Sequence, residues 1–493
     1  MLKLWAKYHT RSTTNHATWN KPTTQSLNSC VQSILLMVQL FINRKSELHF
    51  LSQKYAENAP QMIVLYGKRR IGKTELTKKF MEDKEGVYIL CTNDSMKENI
   101  NEMKSKFRNL TGKEYFSDLD VSSLYDLFSY LSQEIGTRKI VITIDEFPYL
   151  IEINRGIVSV FQKIWDELLV NTNIFLIICG SSMGMMETEV LSYKSPLYGR
   201  RTGEWNVSPM AFKHLKHFFS NYDTADLFRI WAVCGGVPFY LQKFDGQLSV
   251  DENIRQMILT KGEVLYNEPR ILLKEEFREP KVYSLILKYL SLGYTRQGEI
   301  ASVTGIEKGN LSKYLSVLEN LHIIEHIIPL GKRKRGIYEI NDPFFRFWFR
   351  FVYPNRSDLE IGLVDEVFSQ ISPQLNTYYG KEFERLVSEQ IRLKELPLPF
   401  SFTEVKRWWH NEQEIDSVVV NQDTKDILFV ECKWKMLNER DARRVLANLK
   451  KKSGFVQWNN GSRREYYGLV AKKIEGKEVL RQHGYVAFDL DDF

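Results

Sequence analysis

Cysteine is scarce in this sequence and nowhere clustered: Cys30, Cys91, Cys179, Cys234 and Cys432 stand singly, with no CxxC pair. That spacing excludes a disulfide framework and a zinc ribbon, and predicts reduced thiols packed in a cytoplasmic protein. Long hydrophobic runs are also missing. The longest near the start, Ile34 to Phe41, contains Gln39 and falls far short of the roughly 20 residues that span a bilayer, so no membrane partner is expected. Acidic residues are absent from the first 40 positions, which are rich in Ser, Thr and Asn. The apolar part of that stretch lies too far from the start for a secretory signal. It reads as a poorly ordered leader, with a start of translation at Met37 as the alternative.

What remains is a soluble-type balance, 43% hydrophobic and 26% charged over 493 residues, long enough for about three domains. The net charge of +7 is mild, but its placement is not. Between Lys433 and Arg481 there are 14 Lys/Arg against 5 Asp/Glu, a local excess of +9. Such a stretch is either a solvated face or the footprint of a phosphate-backbone binder.

From Met62 to Pro209, short apolar runs alternate with helical periods. The runs are Met62–Tyr66, Gly86–Cys91, Ile140–Ile144 and Ile174–Cys179. Nearly continuous apolar runs of this length predict buried parallel strands with crossover helices, an α/β class. The domains expected are a leader at 1–40, an α/β core at 41–209 and a helical lid at 210–278. A winged helix-turn-helix follows at 279–340, an aromatic seam at 341–377 and a final α/β domain at 378–493.

The first run feeds Gly67-Lys68-Arg69-Arg70-Ile71-Gly72-Lys73-Thr74, and a helical period follows. This is a phosphate-binding loop. The glycines permit inward-facing N–H groups, Lys73 supplies charge for the terminal phosphates, and the Thr74 hydroxyl can ligate Mg2+. The third run ends in Asp145-Glu146, at the strand edge where α/β sheets place ligands. Asp145 is expected to hold the metal, and Glu146 to polarise the attacking water. ATP is the expected cofactor and hydrolysis the expected reaction. Gly180-Ser181-Ser182 can sense the γ-phosphate, with Ser182 the favoured residue. Arg200 or Arg201 can act as an arginine finger in its own subunit or a neighbour's, which makes a homo-oligomer plausible.

The chain resembles the archaeal AAA-type ATPases. The resemblance rests on Phe41-Ile42-Asn43-Arg44 with Glu47-Leu48, the P-loop, Asp145-Glu146-Phe147-Pro148-Tyr149, Gly180-Ser181-Ser182, Pro196 to Arg201 and Gly235-Gly236-Val237-Pro238. It implies that Phe41 to Leu48 packs near the base of the nucleotide and that the Gly-Gly-x-Pro turn heads a helical lid. Lys45 stands where an acidic residue is usual.

Three helical periods, Lys281–Leu290, Thr295–Val303 and Lys308–Leu321, precede two short strands around Lys332-Arg333-Lys334-Arg335. In the third helix Leu311, Leu315, Leu318 and Leu321 form a core face, leaving Lys308, Asn310, Lys313 and Tyr314 for a DNA groove. A winged helix also serves as a protein-docking module. The run Phe344 to Phe351 reads chiefly as an interdomain seam and secondarily as a base-stacking surface. Downstream, Glu414-Ile415-Asp416 opens one strand and Glu431-Cys432-Lys433 closes another. Pairing of these strands would converge Asp416, Glu431 and Lys433, with Glu384 completing the set. Asp416 and Glu431 can hold Mg2+ or Mn2+, and Lys433 can orient a water against a phosphodiester.

This pattern resembles the PD-(D/E)xK nuclease core, a restriction-endonuclease-like fold, with Ile415 in place of proline. It is also similar to the C-terminal domain of uncharacterised function that follows many archaeal ATPases. The reading is a DNA-processing ATPase with a nuclease-like domain. Its alternative is a regulatory NTPase switch whose C-terminal domains bind protein or DNA without cleavage.

Overall fold

The structure, a computed structural model, describes residues 41–493 apart from 333 and 335. The expected leader, the start at Met37, Cys30 and two arginines of the basic turn, Arg333 and Arg335, lie outside the described residues.

All four apolar runs are strands: β1 (Gln61–Tyr66), β2 (Gly86–Leu90), β3 (Lys139–Asp145) and β4 (Asn173–Gly180). A fifth, β5 (Gly203–Asn206), extends them into a parallel sheet of order β2-β3-β4-β1-β5. The sequence gives little sign of β5. It is a four-residue edge strand whose exposure alternates, so it carries no apolar run. β1, β3 and β4 are buried almost throughout because helices cover the sheet. These include α1 (Lys45–Ala56), α2 (Lys73–Met81), α3 (Met96–Thr111), α4 (Leu124–Ile135) and α5 (Ile157–Glu167). Val64, Ile142 and Leu176 share one core cluster with Phe107, Phe128 and Phe161, each buried side chain contributing roughly 1.5–3 kcal/mol. The Ser95 and Ser123 side chains accept from Glu98 N and Asp126 N, which starts α3 and α4 by capping otherwise orphaned donors.

The next segment is helical, with α6 (Thr224–Cys234) and α7 (Val264–Glu276) its longest elements. A Cβ on Gly236 would overlap the Met210 backbone, so the Gly-Gly turn lets this segment close onto the sheet. Helices α8 (Pro280–Ser291), α9 (Gln297–Thr304) and α10 (Lys308–Asn320) then lead into an antiparallel hairpin of β6 (Ile324–Ile327) and β7 (Ile337–Ile340). Leu311, Leu315 and Leu318 face inward as expected.

Asp342 caps α11 (Pro343–Phe347), its Oδ1 accepting from Phe344 N and Phe345 N at 2.9 and 3.1 Å. Phe344, Phe345, Phe347, Trp348, Phe349 and Phe351 are all buried. That is core packing, and it leaves no ring face for a base. Trp348 also donates to Tyr266 O at 2.8 Å, fastening the aromatic run to α7.

A single helix, α12 (Val364–Arg392), follows. It begins well before Gly380 and runs through the boundary expected at residue 378. Pro373 and Gly380 lie within it and read as breakers, but Val367, Phe368, Ile371, Leu375, Tyr379 and Phe383 form a continuous buried stripe. Tertiary packing overrides local propensity here. The final sheet has order β12-β11-β10-β9-β8: β8 (Glu404–His410), β9 (Gln413–Val420), β10 (Asp426–Leu437), β11 (Arg464–Ile474) and β12 (Val486–Asp489). The β8/β9 and β9/β10 pairs are antiparallel, and β10/β11 and β11/β12 are parallel. Helix α13 (Glu439–Ser453) packs across β10 and β11.

Cys91, Cys179, Cys234 and Cys432 are buried and unbridged. Among the described residues no helix is long and apolar enough to cross a membrane.

Candidate functional site

The parallel sheet brings the C-terminal ends of β1, β3 and β4 to one edge, and with them the P-loop, Asp145 and Ser181. Gly67 has φ +156°, and a Cβ there would stand 2.5 Å from Val207 O. Only glycine lets the loop leave β1 this close to the strand-5 edge. Gly72, at φ +91°, turns the chain into α2. Between them Ile71 is fully buried, and its carbonyl accepts from Arg44 Nη2 at 2.8 Å. Arg44 also reaches Ser208 O and Glu47, so the motif ahead of α1 braces the loop from behind.

Lys73 donates to Gly67 O at 2.9 Å and Lys68 O at 3.0 Å. Burial pushes its ammonium below the ordinary lysine range, against the pull of Glu146, Cys179 and Asp145. Thr74 Oγ1 donates to Asp145 Oδ2 at 2.7 Å. Two hard oxygens therefore stand side by side next to the phosphate-binding backbone, a donor set that fits Mg2+. The Tyr88 hydroxyl donates to the same Oδ2 at 2.5 Å, and Glu146 N donates to Oδ1 at 2.9 Å. Asp145 is thereby held at both oxygens. Burial, then Asp145 itself, raises the Tyr88 phenol well above its usual range, which keeps it a donor.

Glu146 takes a left-handed backbone, φ 54°. Its Oε2 accepts from Ser181 Oγ at 2.7 Å and Ser181 N at 3.3 Å. The hydroxyl aimed at Glu146 is thus that of Ser181. Ser182, the residue favoured from sequence, precedes the short helix Met183–Met185 and makes no cap bond with its side chain. Alternate residues point to opposite sides as the chain leaves β4, and which serine faces inward depends on where the strand stops. Arg200 pairs with Asp166 at 3.0 Å, while Arg201 pairs with Glu204 at 2.7 Å and donates to Leu191 O. Both expected finger arginines are held by partners outside the P-loop.

Lys68, Arg69 and Arg70 are held from the far side of the chain: Lys68 by Asp342 at 3.5 Å, Arg69 by Glu276 at 3.0 Å and Arg70 by Glu268 at 2.8 Å.

At the C-terminal end, β9 and β10 pair in the register Val420–Ile427 to Ser417–Val430, which sets Asp416 beside Glu431-Cys432. Asp416 Oδ2 accepts from Cys432 N at 2.7 Å, and Lys433 Nζ lies 2.8 Å from Glu431 Oε1. Glu431 and Lys433 share a face, as period two requires. Burial, followed by Glu384 and Glu431, lifts Asp416 to about 7. Burial also raises Glu384, which pairs with Lys381 at 3.1 Å. The strands thus bring Asp416, Glu431 and Lys433 together, and α12 places Glu384 near enough to raise the Asp416 carboxyl. Among the described residues, no three His, Cys, Asp or Glu side chains approach closely enough to form a metal cluster.

A second lysine completes this site. Lys452 Nζ lies 3.0 Å from Glu431 Oε1 and 3.2 Å from Oε2, brought from the last turn of α13. In the sequence it sits in Lys450-Lys451-Lys452, where nothing marks one lysine above its neighbours. Tyr88 was equally inconspicuous, an aromatic within an apolar strand. Much of the basic stretch is paired: Arg464 with Asp426, Lys473 with Asp491, and Lys477 and Arg481 with Asp492. In α10, Tyr314 is turned to Glu279 at 3.1 Å, while Lys308, Asn310 and Lys313 are exposed.

One cleft of about 830 Å³ is lined by Lys68 of the P-loop, Gly235-Gly236, the β6/β7 hairpin, Glu384 and Asp416. The cleft reaches Lys68 at the start of the P-loop and Glu384 and Asp416 at the far end.

A P-loop between β1 and α2, with an acidic pair at the end of β3, defines a P-loop ATPase. Residues 41–244 match an ATPase domain predominantly from Archaea, and residues 348–445 match a family of archaeal and bacterial proteins of unknown function. An uncharacterized protein of Methanocaldococcus jannaschii is 38% identical over 460 residues, covering 92% of this chain and 100% of that protein. The chain belongs to this family of archaeal ATPases. An uncharacterized ATP-binding protein of the same organism is 54% identical over 48 residues, 10% of this chain and 81% of its own length. Among solved structures, the Walker-type ATPase of Pyrococcus abyssi is similar with a TM-score of 0.50 and 23% identity, over 63% of this chain and 96% of that one. That likeness is one of fold.

Proposed function

We propose that this ATPase couples hydrolysis of ATP to the binding and cutting of DNA. Lys73 and the loop N–H groups bind the phosphates, with Thr74 and Asp145 as Mg2+ ligands. When bound, Mg2+ neutralises charge that develops on the transferring phosphoryl group. Glu146 orients and deprotonates the attacking water. Its hydrogen bond to Ser181 ties that base to the end of β4, which favours Ser181 over Ser182 as the γ-phosphate sensor. Arg200 or Arg201 serves as a finger only after release from Asp166 or Glu204, as a neighbouring subunit could bring about. Lys73→Ala is expected to abolish ATP binding.

The elements α8 to α10 with β6 and β7 read as a winged helix. Lys308, Asn310 and Lys313 are its DNA-facing residues. The mixed sheet with Asp416, Glu431 and Lys433 reads as a nuclease-like fold, 378–493. One observation carries the cutting activity: two carboxylates and a lysine within hydrogen-bonding distance of one short stretch of β9 and β10. Asp416 and Glu431 offer oxygen donors suited to Mg2+ or Mn2+, with Glu384 beside them. Lys433 orients the water that attacks the phosphodiester, and Lys452 steadies Glu431. Supercoiled plasmid incubated with Mn2+ is expected to be nicked by the wild type and left intact by Asp416→Ala or Lys433→Ala.

A second reading is favoured by the clamp on Glu431, both of whose oxygens meet Lys452. A carboxylate so neutralised suits a site that grips a phosphodiester without cutting it, as a regulatory switch would. A protein that retards DNA in a gel and never nicks it, with any divalent metal, would establish this reading over the first.

A further inference from the structure

The three residues between the P-loop glycines that carry charge are each committed to a carboxylate more than 190 positions away. Lys68 meets Asp342, Arg69 meets Glu276 and, at 3.5 Å, Glu275, and Arg70 meets Glu268. Three of these four acids belong to one helix, α7. Glu268 and Glu276 are eight residues apart, about 12 Å along the axis at 1.5 Å per residue. The adjacent Arg69 and Arg70 therefore splay to opposite ends of the helix and grip it twice.

The contacts are not loose surface pairs. Glu268 is fully buried, and its Oε2 has no hydrogen-bond partner, an arrangement that holds only while Arg70 stays on Oε1. Arg70 is itself in the left-handed region, φ 68°, with its guanidinium 4.4 Å over Phe239. Arg69 and Glu276 are mostly buried. Asp342 divides its oxygens, one capping α11 and the other facing Lys68. The same group of residues walls a small cavity whose lining includes Lys68, Arg69, Ser181, Glu276 and Asp342.

A triphosphate carries about four negative charges and seeks the cations that these acids hold. We propose that α7 is a carboxylate latch on the phosphate-binding loop, displaced when a nucleoside triphosphate binds. The inference rests on the reading of the loop as an ATP site and adds its regulation. Linkage makes the effect reciprocal: whatever draws α7 away raises nucleotide affinity, and nucleotide loosens α7. Because Trp348 is hydrogen-bonded to Tyr266 of α7, release of the helix is felt directly by the aromatic seam.

The test is titration of the full chain with a fluorescent ATP analogue, comparing wild type with the isosteric double variant Glu268→Gln, Glu276→Gln. The variant is expected to bind about tenfold more tightly, and hydrogen exchange in residues 264–276 of the wild type to accelerate on addition of ATP. Equal or weaker binding by a folded variant overturns the latch alone. Should the variant fail to fold, exchange in the wild type decides: unchanged or slower exchange in 264–276 with ATP overturns it. Absence of ATP binding by the wild type at millimolar concentration sinks the ATP-site reading and the latch together.

Discussion

Asp145 shows how much of a candidate site's geometry is fixed by neighbours that no motif names. Its Oδ2 receives the hydroxyls of Thr74 and Tyr88, and its Oδ1 the amide of Glu146. Thr74 belongs to the P-loop pattern and Glu146 is adjacent in sequence, but Tyr88 comes from β2 purely through the parallel pairing of Leu90 with Asp145. Groups that orient a metal ligand typically alter metal affinity 10–100-fold when removed. Tyr88→Phe removes one oxygen and nothing else. It is expected to raise the Mg2+ concentration for half-maximal ATP hydrolysis by about tenfold, while metal-free nucleotide binding stays as in wild type. An unchanged Mg2+ dependence would assign Tyr88 to packing alone. The places of the P-loop, Asp145 and Glu146 at the strand ends were legible because apolar runs lead directly into them. Tyr88, Ser181 and Lys452 were not, because their roles arise only from strand register or from a helix laid over a sheet.

At the scale of elements, the legible parts are those whose apolar residues run together or recur at one period. β1 to β4 announce themselves as apolar runs, and α10 by its leucine stripe. β5 and the first half of α12 do not, one being a short wet edge and the other a helix with Pro373 and Gly380 inside it. The long helix α12 carries its own titration test. Burial lifts Glu389 to about 7, with Arg392 and Arg346 working the other way. Below about pH 4.5 folded and unfolded chains both hold this proton. Between about 4.5 and 7 the unfolded chain releases it and the folded chain keeps it, so the unfolded state gains and stability falls as pH rises. Above about 7 the full deficit is present, on the order of 3 kcal/mol. Glu389→Gln is therefore expected to match wild type in chemical denaturation at pH 4.5 and to exceed it at pH 8. Equal stability of the two proteins at both pH values would show that Glu389 ionises freely in the folded chain.

Residues 44–493 are tied together more closely than a string of domains. Glu339 of β7 is held by Arg385 of α12 and Arg407 of β8. Burial works to raise its carboxyl, but the two guanidiniums prevail and hold it at about 2. Arg346 of α11 meets Glu382 of α12, with its guanidinium also on Asn341 O, so polar contacts pass from the hairpin to the last sheet. Apolar contacts do the same. The Trp434 ring of β10 lies 4.3 Å from Phe228 of α6 and 5.4 Å from Phe383 of α12. A fragment of residues 378–493 would lose Phe228, Arg346 and Glu339 at once and begin inside α12. Losing the packing around one large aromatic typically destabilises by about 3–5 kcal/mol, a large share of the roughly 5–15 kcal/mol that holds a domain together. That fragment is expected to show red-shifted tryptophan fluorescence and no cooperative melt, whereas residues 210–493, which keep these partners, should melt cooperatively. A cooperative transition in the short fragment would mean that the last sheet is an autonomous unit.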